Sequence, residues 1–108
     1  MARKRKPVGI AVIGRRWFAR TYGNTYHSAT ILVFYRGGGR PLYMLTDKHY
    51  GYGEQYIETA AERLEKEGII PPRKEHPHGG KECLWRYMEE LGISYQALAV
   101  DVPREKDL

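Results

Sequence analysis

Between Arg15 and His27 the chain reads Arg-Arg-Trp-Phe-Ala-Arg-Thr-Tyr-Gly-Asn-Thr-Tyr-His, three guanidinium groups interleaved with four aromatic rings and no carboxylate. Cations free of nearby acids neutralise phosphates, and aromatic planes stack on unpaired bases, so these residue types together describe a nucleic-acid contact. The candidates are Arg15, Arg16, Trp17, Arg20, Tyr22, Asn24, Tyr26 and His27, joined by Arg36 and Arg40 from the next loop. Arg20 and Asn24 also have the hydrogen-bonding capacity to read base edges from a β-ribbon in a major groove. Other chemistry is present in kind but not in spacing. His76, His78 and Cys83 are ligand types, but their separation fits no recognised zinc pattern. His27, His49, Asp47, Glu54 and the tyrosines include the groups of a small metal-independent nuclease, with nothing in the spacing to force them together. The run Arg36-Gly37-Gly38-Gly39-Arg40 lacks the following helix and the Lys-Ser/Thr pair of a phosphate-binding P-loop and reads as a hairpin loop. No catalytic residue, metal or cofactor is assigned.

The flanking pattern supplies a support for the basic aromatic stretch. Gly23-Asn24 is a Gly-X pair suited to a two-residue type II′ turn, and Tyr22, Thr25 and Tyr26 around it are strand formers. The register that follows pairs Tyr22 with Thr25, Thr21 with Tyr26 and Arg20 with His27. It puts Arg16, Phe18, Arg20, Tyr22 and His27 on one side, and Arg15, Trp17, Thr21 and Tyr26 on the other. Phe18 is expected in the core. A first strand runs over 8–20, with Gly9 and Gly14 leaving room for a bulge or bend. A second runs over 25–36, and its apolar centre, Ile31 to Tyr35, marks the middle of the sheet. A third, over 41–46, opens on Pro41 and belongs at an edge.

Asp47 to Gly53 reads as an aromatic, glycine-rich loop. A helix over 54–67 turns Ile57, Ala60, Ala61 and Leu64 inward, ends at Gly68, and shows an acidic outer face of Glu54, Glu58, Glu62 and Glu65. Arg73 to Gly80 is an irregular connector. A second helix over 81–91 carries Leu84, Tyr87, Met88 and Leu91, and a last strand over 94–102 has Gln96, Leu98, Val100 and Val102 on one face. The order βββααβ predicts an α+β domain, an antiparallel sheet of three to four strands with two helices on one face. Residues 1–7 form a basic arm, 8–103 the single domain and 104–108 a polar tail.

The string Arg16 to Ser28, Arg-Trp-Phe-Ala-Arg-Thr-Tyr-Gly-Asn-Thr-Tyr-His-Ser, resembles a segment found in short uncharacterised proteins of bacteriophages, prophages and mobile elements. The resemblance covers mainly residues 15–36. It implies a viral or mobile-element context and brings no activity or catalytic residue with it.

Charge separates the chain into two parts. Among 108 residues with a net charge of +5, the first 46 hold nine Lys or Arg and no acid, while residues 47–108 hold the other nine and all thirteen acids. The parts are therefore +9 and −4, as expected if one surface meets a polyanion and the other meets water. Apolar content of 42% and charged content of 29% place the chain among soluble globular proteins. A lone cysteine, Cys83, excludes an intramolecular disulfide and suits a reducing compartment. The expected location is cytoplasmic, with no membrane partner. The sequence points to a non-catalytic nucleic-acid-binding protein, DNA or RNA undetermined. The alternative is a small phage-encoded inhibitor of a host protein such as a defence nuclease, and a homodimer is compatible with either. Aromatic placement discriminates between them. Tyr50, Tyr52 and Tyr56 gathered on the acidic helix favour a protein partner, whereas Trp17, Tyr22 and Tyr26 exposed among arginines favour nucleic acid.

Overall fold

Alternating apolar residues build two long strands on which everything else is hung. In the computed structural model, which describes residues 7–77 and 79–108, β1 spans Pro7–Ala19 and β2 spans Asn24–Tyr35. Ile10 and Val12 on β1, and Ala29, Ile31 and Val33 on β2, are almost wholly buried on one face. Two short strands, β3 (Leu42–Leu45) and β4 (His49–Tyr50), both pair with β2. Helix α1 (Gln55–Lys66) and helix α2 (Leu84–Leu91) follow, then β5 (Ser94–Asp101) and a 3₁₀ turn at Glu105–Asp107. The basic arm falls outside the described residues except for Pro7, which is buried as the first residue of β1.

The sheet order is β3-β2-β1-β5, with β4 also beside β2. The α+β class is as expected, but the sheet has five strands rather than three or four. It is also mixed, because β5 lies parallel to β1 from Gly9↔Ser94 to Arg16↔Asp101. Side-chain alternation reveals which face a strand buries and is silent on its direction. Direction is set by the connection, and the two-helix crossover from β4 is long enough to return the chain the same way up. The overlooked β4 is two residues long, too short to show a period.

Both helices cover the face bearing Ile10 and Ile31. Tyr56, Ala60, Ala61 and Leu64 of α1 and Leu84 and Met88 of α2 join those strand residues in one core, closed by Ile70 and Ile93. Two alanines at complete burial let α1 lie close against the strands. It ends as its sequence predicts: Gly68 has φ 73°, its N–H donates to Glu65 C=O at 3.0 Å, and Ile69 N–H donates to Leu64 C=O at 3.0 Å. Gly14 is no bend. The register runs straight through it, the irregularity lies between Pro7 and Gly9, and a Cβ at Gly14 would sit 2.4 Å from the Tyr56 ring. The missing side chain is where that tyrosine rests.

Arg73, expected in a featureless connector, is buried with its side chain at 0% exposure. Its guanidinium donates to both carboxylate oxygens of Glu58 (2.7 and 3.1 Å), to Glu65 (3.3 Å) and to Glu82 C=O (3.1 Å), and its backbone N–H donates to Glu65 Oε2 at 2.6 Å. The acidic face of α1 is therefore partly consumed inside the molecule. Two of its four glutamates fasten the connector to the helix. Burial pushes the Glu65 carboxyl up, and the hydrogen bonds and charge of Arg73 more than reverse this, leaving it below its ordinary value.

Neither α1 nor α2 covers the opposite face of the sheet. Its residues are Ala11, Ile13, Arg15 and Trp17 of β1, their β2 neighbours Leu32, Thr30, Ser28 and Tyr26, and Gln96, Leu98 and Val100 of β5. After β5, Val102 N–H donates to Arg16 C=O at 2.7 Å, and the chain then crosses this face. There Glu105 pairs with Lys48, whose ammonium lies 5.1 Å from the Tyr26 ring centre.

Candidate nucleic-acid interface

The β1–β2 hairpin projects the basic aromatic stretch, but not through a two-residue turn. Strand pairing ends at Ala19↔Asn24, and Arg20 to Gly23 form the loop. Gly23, at φ 68°, donates its N–H to Ala19 C=O at 2.8 Å. Its left-handed conformation closes a five-residue turn instead of opening a two-residue one. Trp17 consequently pairs with Tyr26, Phe18 with Thr25 and Arg16 with His27. Relative to the expected register this is a slip of four positions along one strand. An even slip leaves every strand residue on its expected side. Thr21 and Tyr22, expected on the ladder with Arg20, belong to the loop.

On the helix side of the hairpin, Arg16, Phe18, Arg20, Thr25, Tyr52 and Asp101 surround a cleft of about 530 Å³. Arg16 is committed within it: Nε donates to Asp101 Oδ1 at 2.9 Å, and a terminal nitrogen donates to Gly53 C=O at 3.1 Å. These bonds hold the loop that presents Tyr52. Arg20 is exposed and makes no ion pair among the described residues. Phe18, expected in the core, is 55% exposed, because α1 begins at Gln55 and leaves the hairpin end uncovered. Tyr52 is 74% exposed and Tyr22 77%.

His27 does not reach this surface. It is 2% exposed. Nδ1 lies 3.1 Å from Gly51 C=O, an acceptor only, so it carries the proton, and Nε2 accepts from the Thr59 hydroxyl at 2.6 Å. Burial lowers the imidazole pKa, the Gly51 carbonyl partly restores it, and the nearby His49 lowers it again. His49 stacks on the ring at 5.9 Å between centres. The residue is a strut between β2, the Gly51 loop and α1. A Cβ at Gly51 would lie 3.1 Å from His27 Cε1 and 2.8 Å from Gln55 Cβ, which explains the glycine.

The remaining candidates divide between two other places. On the helix-free face Trp17 and Tyr26 stack with ring centres 5.9 Å apart, Tyr50 meets Tyr26 edge-on at 5.8 Å, and Arg15 donates to Thr30 Oγ1 at 2.8 Å. Asn24 is the first residue of β2 and only partly exposed. Arg36 and Arg40 occupy the β2–β3 loop at the far end of β2, about 35 Å from the hairpin loop at the rise of an extended strand. The acid-free front half thus does not gather its cations on one surface. The tyrosines tested as discriminators separate too: Tyr56 is buried, Tyr50 joins Tyr26, and Tyr52 joins the arginines. Tyr52 and Phe18 line this cleft and were not among the candidate contacts read from the sequence. The glycines flanking Tyr52 were the available signal.

Among the described residues no group of three or more His, Cys, Asp or Glu is placed to hold a metal, and no helix is long and apolar enough to cross a membrane. His78 lies outside the described residues. Compared with known protein families, with curated proteins and with solved structures, the chain matches none of them.

Proposed function

We propose that the protein binds single-stranded nucleic acid through the hairpin cleft. The reading rests on one observation: Phe18 and Tyr52, 55% and 74% exposed, line one cleft with Arg20, whose guanidinium makes no ion pair among the described residues. Large aromatic side chains kept in water beside a free cation suit a flat base whose phosphate lies within reach, and base–aromatic stacking is worth about 1 to 3 kcal/mol per base. Arg16 positions Tyr52 and is not itself a phosphate contact. Asp101 neutralises Arg16 and so confines the anion-binding role to Arg20. A recess on one side of the hairpin fits an unstacked base better than a duplex groove. The resemblance of Arg16 to Ser28 to phage and mobile-element proteins supplies the context in which single strands occur.

Fluorescence anisotropy with labelled single-stranded and duplex oligonucleotides tests this. Tyr52→Ala and Phe18→Ala should each weaken single-strand binding about 5- to 150-fold with little effect on folding, since both side chains are largely exposed. Arg20→Ala should reduce the slope of log affinity against log salt by about 0.7. Unchanged affinity in the two aromatic variants overturns the proposal. The second reading, an inhibitor of a host protein, draws on the helix-free face, where Phe34, Tyr43, Leu45 and Leu98 are 41 to 58% exposed.

A further inference from the structure

We propose that two copies of the chain associate edge to edge through β5, joining their sheets into one. β5 closes the sheet order on one side, and no described strand pairs with its outer edge. The strand is eight residues long, Ser-Tyr-Gln-Ala-Leu-Ala-Val-Asp, with no proline, glycine, lysine or bulge to blunt it. Proteins protect a free edge with those devices, and an unprotected one of this length is a template for another strand. The helices do not protect it either. Ala97 faces their side of the sheet yet is exposed, and Leu98 and Val100 on the other side are 55% and 45% exposed.

The backbone fixes the pairing. Val102 N–H points inward to Arg16 C=O, so by alternation residues 94, 96, 98 and 100 also bond inward to β1, and Tyr95, Ala97, Ala99 and Asp101 turn their N–H and C=O groups out. A two-fold antiparallel pairing that uses all four outward residues places Leu98 opposite its own copy, Ala97 opposite Ala99, and Tyr95 opposite Asp101. That gives about eight main-chain hydrogen bonds along an edge about 26 Å long, within the range carried by a stable interface. A second copy suits this edge better than a nucleic acid or a charged partner. The strand has no cation, its one acid is at the end, and self-pairing sets no like charges opposite each other.

Light scattering coupled to size exclusion, across low to high micromolar protein and without nucleic acid, should show a reversible monomer–dimer equilibrium. Ala97→Pro removes an outward N–H from each copy and leaves the β1 ladder intact. It should weaken the dimer about thirty-fold. In a Cys83→Ser background, Leu98→Cys should form a covalent dimer on mild oxidation, since facing non-hydrogen-bonded residues bring their Cα atoms to about 4.5 Å. Val100→Cys, opposite Gln96 of the second copy, should not. A monomer at every concentration, or cross-linking through Val100→Cys as readily as through Leu98→Cys, overturns the proposal. Because the assay contains no nucleic acid, its failure leaves the hairpin reading untouched, and the reverse holds too.

Discussion

Arg73 offers the sharpest test of how the connector is held. Its guanidinium has no exposure to water and is matched by Glu58, Glu65 and one carbonyl. Replacing it with Met retains most of the buried stem and removes the charge and its donors. Glu65, with a side chain only 9% exposed, is left with Lys81 at 3.8 Å as its ion-pair partner, while Glu58, 43% exposed, can turn to solvent. Breaking a buried pair costs about 3 to 5 kcal/mol, and the freedom of Glu58 argues for the lower end, about 3 kcal/mol. For a domain of this size each kcal/mol moves the midpoint by about 4 °C or more, so Arg73→Met should melt at least about 12 °C lower. Urea denaturation followed by tryptophan fluorescence gives the free energy directly. The sign with pH follows from Glu65. Its folded-state value is depressed, so its contribution is complete above the carboxyl's ordinary value and disappears as pH falls through the folded value. Wild type should therefore lose stability more steeply with acid than Arg73→Met. A loss under about 1 kcal/mol, or parallel acid profiles for the two proteins, refutes the clamp.

Two other residues make separable predictions. Gly14→Ala drives a methyl into the Tyr56 ring and should cost about 1 to 3 kcal/mol in the same urea experiment, whereas alanine at Gly38, with open space around it, meets only the strain of its φ of 79°. Burial depresses His27, so neutral imidazole stabilises the fold above its ordinary value of 6.5, and stability should fall as pH drops below that value towards the depressed folded one. His27→Asn should be less stable at neutral pH and flatter across that window. An unchanged slope would remove His27 as its cause.

What the sequence could show depended on whether the controlling force was local. The 3.6-residue spacing of Ala60 and Leu64, the glycine after α1 and the alternation along β1 and β2 are local, and each appears where it was read. Arg73 gave no such sign. Its partners are eight and fifteen residues away, brought to it by the return of the chain over α1. The hairpin was legible as a hairpin, but Gly23 admits more than one kind of turn, and only the observed bond to Ala19 selects the looser one. Phe18 was misplaced because an alternating pattern cannot tell where a helix stops covering the sheet. Arg36 and Arg40 were grouped with Arg20 by charge alone, and the length of β2 separates them.

The junction of β3 and β4 bears on how this chain can change over time. Leu45 faces Thr30 while His49 faces His27, so β3 and β4 have four steps where β2 has three. That surplus unit breaks the alternation, so His49, four residues after Leu45, lies against His27 on the opposite face while Tyr50 joins Tyr26 on the face of Leu45. Losing one residue at Asp47 or Lys48 would leave three steps on each strand, so His49 would still meet His27 and Tyr50 still meet Tyr26, now in unbroken register. Losing two would instead shift the pairing by one residue and exchange the faces of the imidazole and the phenol. This short segment should therefore tolerate the loss of one residue and not of two, and substitution at Thr46, whose Oγ1 accepts the Ala29 N–H, should be felt.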